Sequence, residues 1–422
     1  MQIAKTRSAD SAQSAIVIGG GIVGLACALH LQRRGLCTLV VEPEVATRAA
    51  SWGNAGHLAI EQVEPLASRR TLRSFGSRLF WRGGALSLPP RDCAAWLPFA
   101  WRLAKASAPS RFDAGKAALG NLVREAMPAW RRMMTALGGL DLIAEDGHYI
   151  VWESSRGARA GRKQWGRADT GEARFRDLTD EESRMLSARF TRPFSDAVRF
   201  VGTGRVRDPG DLIDRLIAGF EAAGGERHFA QVQSLSVDGS IASCHLQNGE
   251  RLDADVIVVA AGVGSGRLLE QTGHRVPIIA ERGYHIQAEH SDWPDSPPVV
   301  FEERSMIVSR FRTGLRAASF VEFGHERSPP DPRKWQRLQS HVDALGLSFQ
   351  GSRSEWMGAR PTLPDYLPAI GRSTRARNLL YAFGHQHLGL TLAATTGELI
   401  AALAAVETPT VDTAPFDVDR FQ

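Results

Sequence analysis

Gly19-Gly20-Gly21-Ile22-Val23-Gly24 follows the apolar run Ser14-Ala15-Ile16-Val17-Ile18, and a second apolar run, Leu39-Val40-Val41, ends in Glu42. Residue types at this spacing can hold a dinucleotide. Gly19 permits a tight turn, Gly21 lets backbone amides approach a pyrophosphate, and Gly24 lets a helix pack closely on the preceding strand. The phosphates would then meet the unpaired N–H groups of a helix that begins at Ile22 and Val23, where the dipole favours an anion. Glu42 falls where a carboxylate accepts hydrogen bonds from ribose hydroxyls. A ligand-free glycine turn would not require strand, glycines, helix, strand and acid to arrive in that order.

That chemistry needs further elements around it. Ala49 to His57, rich in Gly and small residues, reads as a loop whose backbone approaches a partner. Ala254 to Gly262 gives an apolar, β-branched strand ending in small residues, so Ala261 and Gly262 should meet the same ligand beyond the strand's carboxyl end. A strand over 379–383 leads into Gly384-His385-Gln386-His387-Leu388-Gly389-Leu390-Thr391 and a final helix over 392–406, whose start is a second terminus able to bind an anion or a carbonyl. Ala393, Ala394 and Gly397 allow that helix to pack closely. Between these lie expected helices over 121–137, 180–188, 332–345 and from Pro209 to Gly224, a strand over 147–152, and alternating strands over 278–287 and 299–321. From Arg69 to Phe112, Arg and Trp mix with apolar runs; helices packed over the first domain suit this stretch better than a membrane-surface helix, because Pro89, Pro90 and Pro98 interrupt an amphipathic face.

At 422 residues the chain is long enough for two domains. Its 43% hydrophobic and 23% charged content is that of a globular protein, and the net charge of +5 is too mild to indicate nucleic acid. Cys27, Cys37, Cys93 and Cys244 make no metal-ligand spacing or disulfide framework, so no metal is expected and the thiols should be reduced, as in cytoplasm. Residues 1–13 are polar and lack the apolar core of a secretory signal. No uninterrupted apolar run is long enough for a transmembrane helix.

Taken together, these pieces resemble the FAD-dependent D-amino-acid oxidoreductase superfamily over nearly the whole chain. The resemblance is carried by Gly19 to Glu42, Ser51-x-x-Asn54-Ala55-Gly56, Val258-Val259-Ala260-Ala261-Gly262, Arg282-Gly283-Tyr284, Trp356-x-Gly358-x-Arg360-Pro361 and Gly384-His385-x-x-Leu388-Gly389-Leu390. Asn54-Ala55-Gly56 and Arg360-Pro361-Thr362-Leu363-Pro364-Asp365 look most like the bacterial dehydrogenase branch, which includes enzymes of D-proline and cis-4-hydroxy-D-proline. The fold implied is α/β plus α+β: a Rossmann-like FAD-binding domain (14–88, 196–274, 354–422) with an interleaved antiparallel-sheet substrate domain (89–195, 275–353).

The resemblance implies non-covalent FAD, held by Gly19, Gly21, Ile22, Val23, Gly24, Glu42, Ser51, Asn54, Ala55, Gly56, His57, Val232, Ala261, Gly262, Gly384, His385, Leu388, Gly389, Leu390 and Thr391. Arg360 would bind the substrate carboxylate, which suits a planar guanidinium that forms two parallel hydrogen bonds. Tyr284 and His285 would lie on the substrate side of the flavin, where a phenol or imidazole can orient the amine or take a proton; a packed tyrosine with a satisfied hydroxyl is an equal alternative. The reaction implied is hydride transfer from Cα of a D-amino or D-imino acid to flavin N5, with electrons passed on to a quinone or another acceptor, and with Arg69 to Arg102 as a peripheral contact with the inner face of a membrane. Competing readings are a glycine- or sarcosine-type amine oxidase, an NAD-dependent dehydrogenase using the same N-terminal site, and a non-catalytic flavin-binding protein. The oligomeric state is left open.

Overall fold

The computed structural model describes residues 13–43, 49–237, 239 and 241–422; the expectation about the polar N-terminal segment falls almost wholly outside them. Strand β1 (Ser14–Ile18), helix α1 (Ile22–Arg33) and strand β2 (Cys37–Glu42) form the expected unit, with β1 and β2 parallel and in register from Ser14 opposite Cys37. They sit in a six-stranded sheet in the order Glu226–Phe229, β2, β1, Val256–Val259, Leu379–Phe383, Ala369–Arg372. All pairs are parallel except the last. The apolar runs of β1 and of Val256–Val259 are buried on both faces, which is why their sequences read as continuous rather than alternating.

One face of this sheet is covered by α1, Pro209–Ala222, Ala126–Leu137 and Gly389–Ala404. The other carries a three-stranded antiparallel sheet, Val232–Ser236, Ala242–Leu246 and Arg251–Ala254. Gly397 explains the intimacy of α1 and the last helix: a Cβ there would come within 2.7 Å of the Ala26 carbonyl oxygen. The helical stretch Gln386–Ala404, which includes that last helix, is apolar and long enough to cross a membrane by length and composition, and here it is a core element, with most of its residues buried.

The second layer is a nine-stranded, mainly antiparallel sheet ordered Gln350–Thr362, Ile279–His290, Gly314–Gly324, Met306–Phe311, Val299–Phe301, His148–Trp152, Asp196–Val201, Arg174–Asp177, with Leu86–Ser87 alongside Gly314–Gly324. Strand pairing therefore places 196–201 and 350–362 in this sheet, where boundaries at 196 and 354 assign most of them to the cofactor layer. Conversely, Leu119, Leu122, Trp130 and Met133 pack into the core beside α1 although 89–195 is the expected substrate domain. Apolar side chains on those two helices do not reveal which sheet they will cover.

The helix Pro332–Leu345 has the expected ends, set by the Asp331 cap, which accepts from Arg333 N, and by Gly346 in the left-handed conformation. The expected helix over 121–137 is two helices, Pro109–Arg124 and Ala126–Leu137, parted at Glu125. Pro98 lies inside the helix Cys93–Ala106 rather than ending it.

Candidate active site

At the carboxyl end of β1, Gly19 turns with φ +112°, and a Cβ there would meet the Ala260 carbonyl oxygen at 2.4 Å. Gly24 lies equally tight: its Cβ would come within 1.9 Å of the Gly19 carbonyl oxygen. Gly21 faces open space, with Ser51 Oγ the nearest atom at 3.7 Å from an added Cβ. The three glycines thus divide into a turn, a packing contact and a clear approach to the start of α1. Ser51 Oγ accepts from Ile22 N at 3.3 Å, tying the 49–57 loop to that helix start.

Glu42 is buried, and its Oε1 accepts from Arg227 Nε and Nη2 at 3.1 and 2.6 Å. Its Oε2 stands beside Gly20, where a Cβ would lie 1.9 Å away, and makes no hydrogen bond with the described residues. A carboxylate oxygen open at the edge of a glycine cradle is what a nucleotide ribose needs.

From this cradle a cavity of about 2160 Å³ runs into the cleft between the two large sheets. It exceeds the space that one drug-sized ligand fills, so it has room for an extended dinucleotide and a small substrate. Gly19, Gly21, Ile22, Val23, Glu42, Ser51, Asn54, Ala55, His57, Val232, Ala261, Gly262, His385, Gly389 and Leu390 line it. Asn54 Oδ1 accepts from Gly56 N at 2.7 Å, and Gly56 turns the chain with φ +74°; Gly56 itself, Gly24, Gly384, Leu388 and Thr391 lie behind the wall. Thr391 Oγ1 accepts from Ala59 N at 3.0 Å, anchoring the last helix so that its start, at Gly389 and Leu390, opens on the cavity.

Arg360 also lines the cavity, on the strand Gln350–Thr362. Its Nη1 lies 3.2 Å from Glu281 Oε1 and 3.3 Å from the Phe320 carbonyl oxygen, and Nη2 passes over Gly283, where a Cβ would lie 2.3 Å away. Glu281 is buried and its second oxygen accepts from Thr362 and Tyr366 hydroxyls, each at 3.1 Å. The carboxylate is thereby spent on orienting the guanidinium, whose remaining donors are offered to the cavity. Phe320, Tyr366 and Gln386, all around this point, have positive φ of 71°, 57° and 50° without being glycine. Non-glycine residues in that conformation are costly, and such strain gathers at functional sites.

Tyr284 and His285 are placed differently from the expectation. Tyr284 borders the cavity, but its hydroxyl donates to Glu322 Oε1 at 2.8 Å and accepts from Asp331 N at 3.2 Å. Burial and Glu322 push that phenol above its ordinary pKa. The ring belongs to a buried ionic network with Arg282, Glu322, Lys334 and Asp331, so the packed alternative describes it. His285 faces away from the cavity, stacked on Trp356 at 5.0 Å with Nδ1 3.2 Å from the Gly53 carbonyl oxygen. Alternation along the strand put one of these neighbours behind the wall, and the ionic network claimed the other.

The sequence reading missed Glu281, Tyr366 and Gln386, which line the cavity around Arg360. No motif marks them; they converge from three separate segments. His387, left without a role, also lines the cavity, with Nε2 2.5 Å from Gln62 Oε1, and burial lowers its pKa to about 4. His57 Nε2 lies 3.0 Å from Glu61 Oε1, and its ring meets His148 edge-on at 4.4 Å. Burial opposes ionisation of Glu61, yet His57 and His148 outweigh it and hold the carboxyl at about 2. The sequence spacing pointed to no metal; ligand atoms of His57, Glu61 and His148 come within 4.8 Å of one another. All four cysteines are free.

Residues 14–403 match the family model described as FAD dependent oxidoreductase. The chain is 29% identical over 414 residues to a D-amino-acid oxidase of Bradyrhizobium diazoefficiens, covering 96% of this chain and 98% of the relative. It is 30% identical over 420 residues to D-amino acid dehydrogenase 2 of Pseudomonas aeruginosa, covering 95% and 97%. Its fold is similar to that of iminodiacetate oxidase from Chelativorans sp. BNC1, with a TM-score of 0.71, 19% identity, and coverage of 96% and 98%.

Proposed function

Since the chain belongs to the family of FAD-dependent oxidoreductases, with FAD as cofactor and amino acids as the substrate class of its relatives, we propose that it oxidises D-amino or D-imino acids as a dehydrogenase. The observation that carries this reading is Arg360, pre-oriented by Glu281 and the Phe320 carbonyl in the cavity that the Gly19–Gly21 turn also lines. Bound there, FAD supplies a two-electron acceptor for the hydride that leaves Cα. Gly21 and the start of α1 receive its pyrophosphate, and Glu42 Oε2 its adenosine ribose. Arg360 grips the substrate carboxylate through two N–H donors and so fixes the direction of the Cα–H bond. The lost hydride and the amine proton leave an imine, which water converts to a 2-oxo acid and ammonia; a cyclic amine such as D-proline or cis-4-hydroxy-D-proline keeps its ring.

Electrons then pass to a quinone-type acceptor. Trp81, Leu97 and Trp101, 71%, 61% and 65% exposed, stand among Arg69 to Arg102 and suit contact with an anionic membrane surface. The test is 2-oxo acid formation from matched D and L enantiomers, with oxygen or an artificial dye as acceptor. D-selective product with dye alone supports the reading. Product from L enantiomers alone would sink it, and hydrogen peroxide formation at the same rate would make the enzyme an oxidase.

A further inference from the structure

Residues 65–91 carry Arg69, Arg70, Arg73, Arg78, Arg82 and Arg91 and no Asp or Glu. Part of this stretch roofs the cavity: Arg70, Thr71, Phe75, Ser77, Arg78 and Arg82 all line it. It is tied to the Arg360 side of the cavity by Leu86, which pairs with Val321 beside the Phe320 carbonyl that holds Arg360. Arg78 also interacts electrostatically with Tyr366, whose hydroxyl donates to the same Glu281 that orients Arg360.

Arg70 and Arg78 have no side-chain hydrogen bond or ion pair among the described residues. This sets them apart from Arg360, which has Glu281, and from Arg227, which has Glu42. The acid that acts electrostatically on both is Glu302, which is not within ion-pair distance of either and whose Oε2 accepts from the Trp152 and Trp165 indole N–H groups at 3.1 Å each. Both arginines are exposed on the wall of the open cavity, so their guanidinium groups can meet an arriving anion without first breaking a bond within the protein.

We infer that Arg78, backed by Arg70, is a second anion site in the cavity that holds Arg360, and that it selects substrates with two carboxylates. Arg360 takes the carboxylate next to the reacting carbon, as in the reading above on which this inference rests, and Arg78 takes the other through its planar fork. The second carboxylate can hang from the side chain, as in D-glutamate and D-aspartate, or from the nitrogen, as in N-carboxymethylglycine. D-Proline and cis-4-hydroxy-D-proline offer Arg78 no anion, so this departs from the imino-acid expectation of the motifs.

The holoenzyme decides it through kcat/KM for isosteric pairs with a dye acceptor: D-glutamate against D-glutamine, D-aspartate against D-asparagine, and N-carboxymethylglycine against N-methylglycine. We expect at least a tenfold preference for the dianion in one pair, carried by KM, and the pair that shows it tells where the second carboxylate hangs. Arg78→Gln should collapse that ratio at least tenfold, Arg78→Lys should restore part of it, and Arg73→Gln, on the same segment but off the cavity wall, should leave it intact. No preference in the wild type, an unchanged ratio in Arg78→Gln, or loss of FAD from that variant would overturn the inference. Flavin reduction by neutral D-amino acids without a dianion preference would overturn this inference alone. No reduction by any amino acid would overturn the underlying reading with it.

Discussion

Arg360 and Glu42 were singled out in the sequence because a motif surrounded each, Gly358 and Pro361 for the arginine, the glycines and β2 for the acid, and both line the cavity. Their partners were invisible, because Glu281 and Arg227 reach them from 79 and 185 positions away. Replacing Arg360 with Ala should keep FAD bound and reduce kcat/KM by about a hundredfold or more, since a charge-assisted bidentate contact is lost and Glu281 is left buried and unpaired. An unchanged kcat/KM in steady-state assays would remove Arg360 from the site. Glu42→Ala should lower FAD affinity by roughly tenfold to a hundredfold, the worth of hydrogen bonds to a charged group. Full FAD retention through gel filtration would contradict that. Tyr284 shows the opposite case: its type and position suggested chemistry, and a buried network consumed its hydroxyl.

Elements were legible where pattern and caps agreed. The β1–α1–β2 unit, the strand Val256–Val259 and the helix Pro332–Leu345 needed only hydrophobic runs, glycines and an Asp cap. Sheet membership was not legible, because Asp196–Val201 and Gln350–Thr362 carry no mark of which neighbour they pair with. The strand Ile279–His290 joins the two kinds of information. Its Glu281 orients Arg360, while Arg282, with Glu322 and Lys334, forms a fully buried ionic cluster behind the pocket. Removing one member leaves uncompensated charge, so Lys334→Met should cost about 3–5 kcal/mol in urea unfolding. A loss under about 1 kcal/mol would mean that the cluster is not holding the sheet against its helix.

The whole molecule answers to pH through its buried histidines. Burial lowers His148 and His385 to about 3, and His30 to about 4, from an ordinary 6.5. In the unfolded chain these groups bind protons from about pH 6.5 downwards while the folded chain does not, so stability is intact above that value and declines as pH falls towards 4. Thermal melts should therefore show Tm falling steadily from pH 7 to pH 5; a flat profile would mean these imidazoles are protonated in the fold. The two-layer arrangement puts the Gly19–Gly21 turn at the carboxyl edge of one sheet and Arg360 in the other, and both line one cavity. The central claim is that Arg360 presents a D-amino acid to FAD across that cavity. Its most direct test is anaerobic stopped-flow mixing of the holoenzyme with matched D and L amino acids, including D-proline and D-glutamate, while following the oxidised flavin band. The account predicts rapid bleaching by a D enantiomer, abolished or slowed at least a hundredfold in Arg360→Ala. Persistent flavin colour with every amino acid, or equal bleaching of wild type and variant, would contradict it.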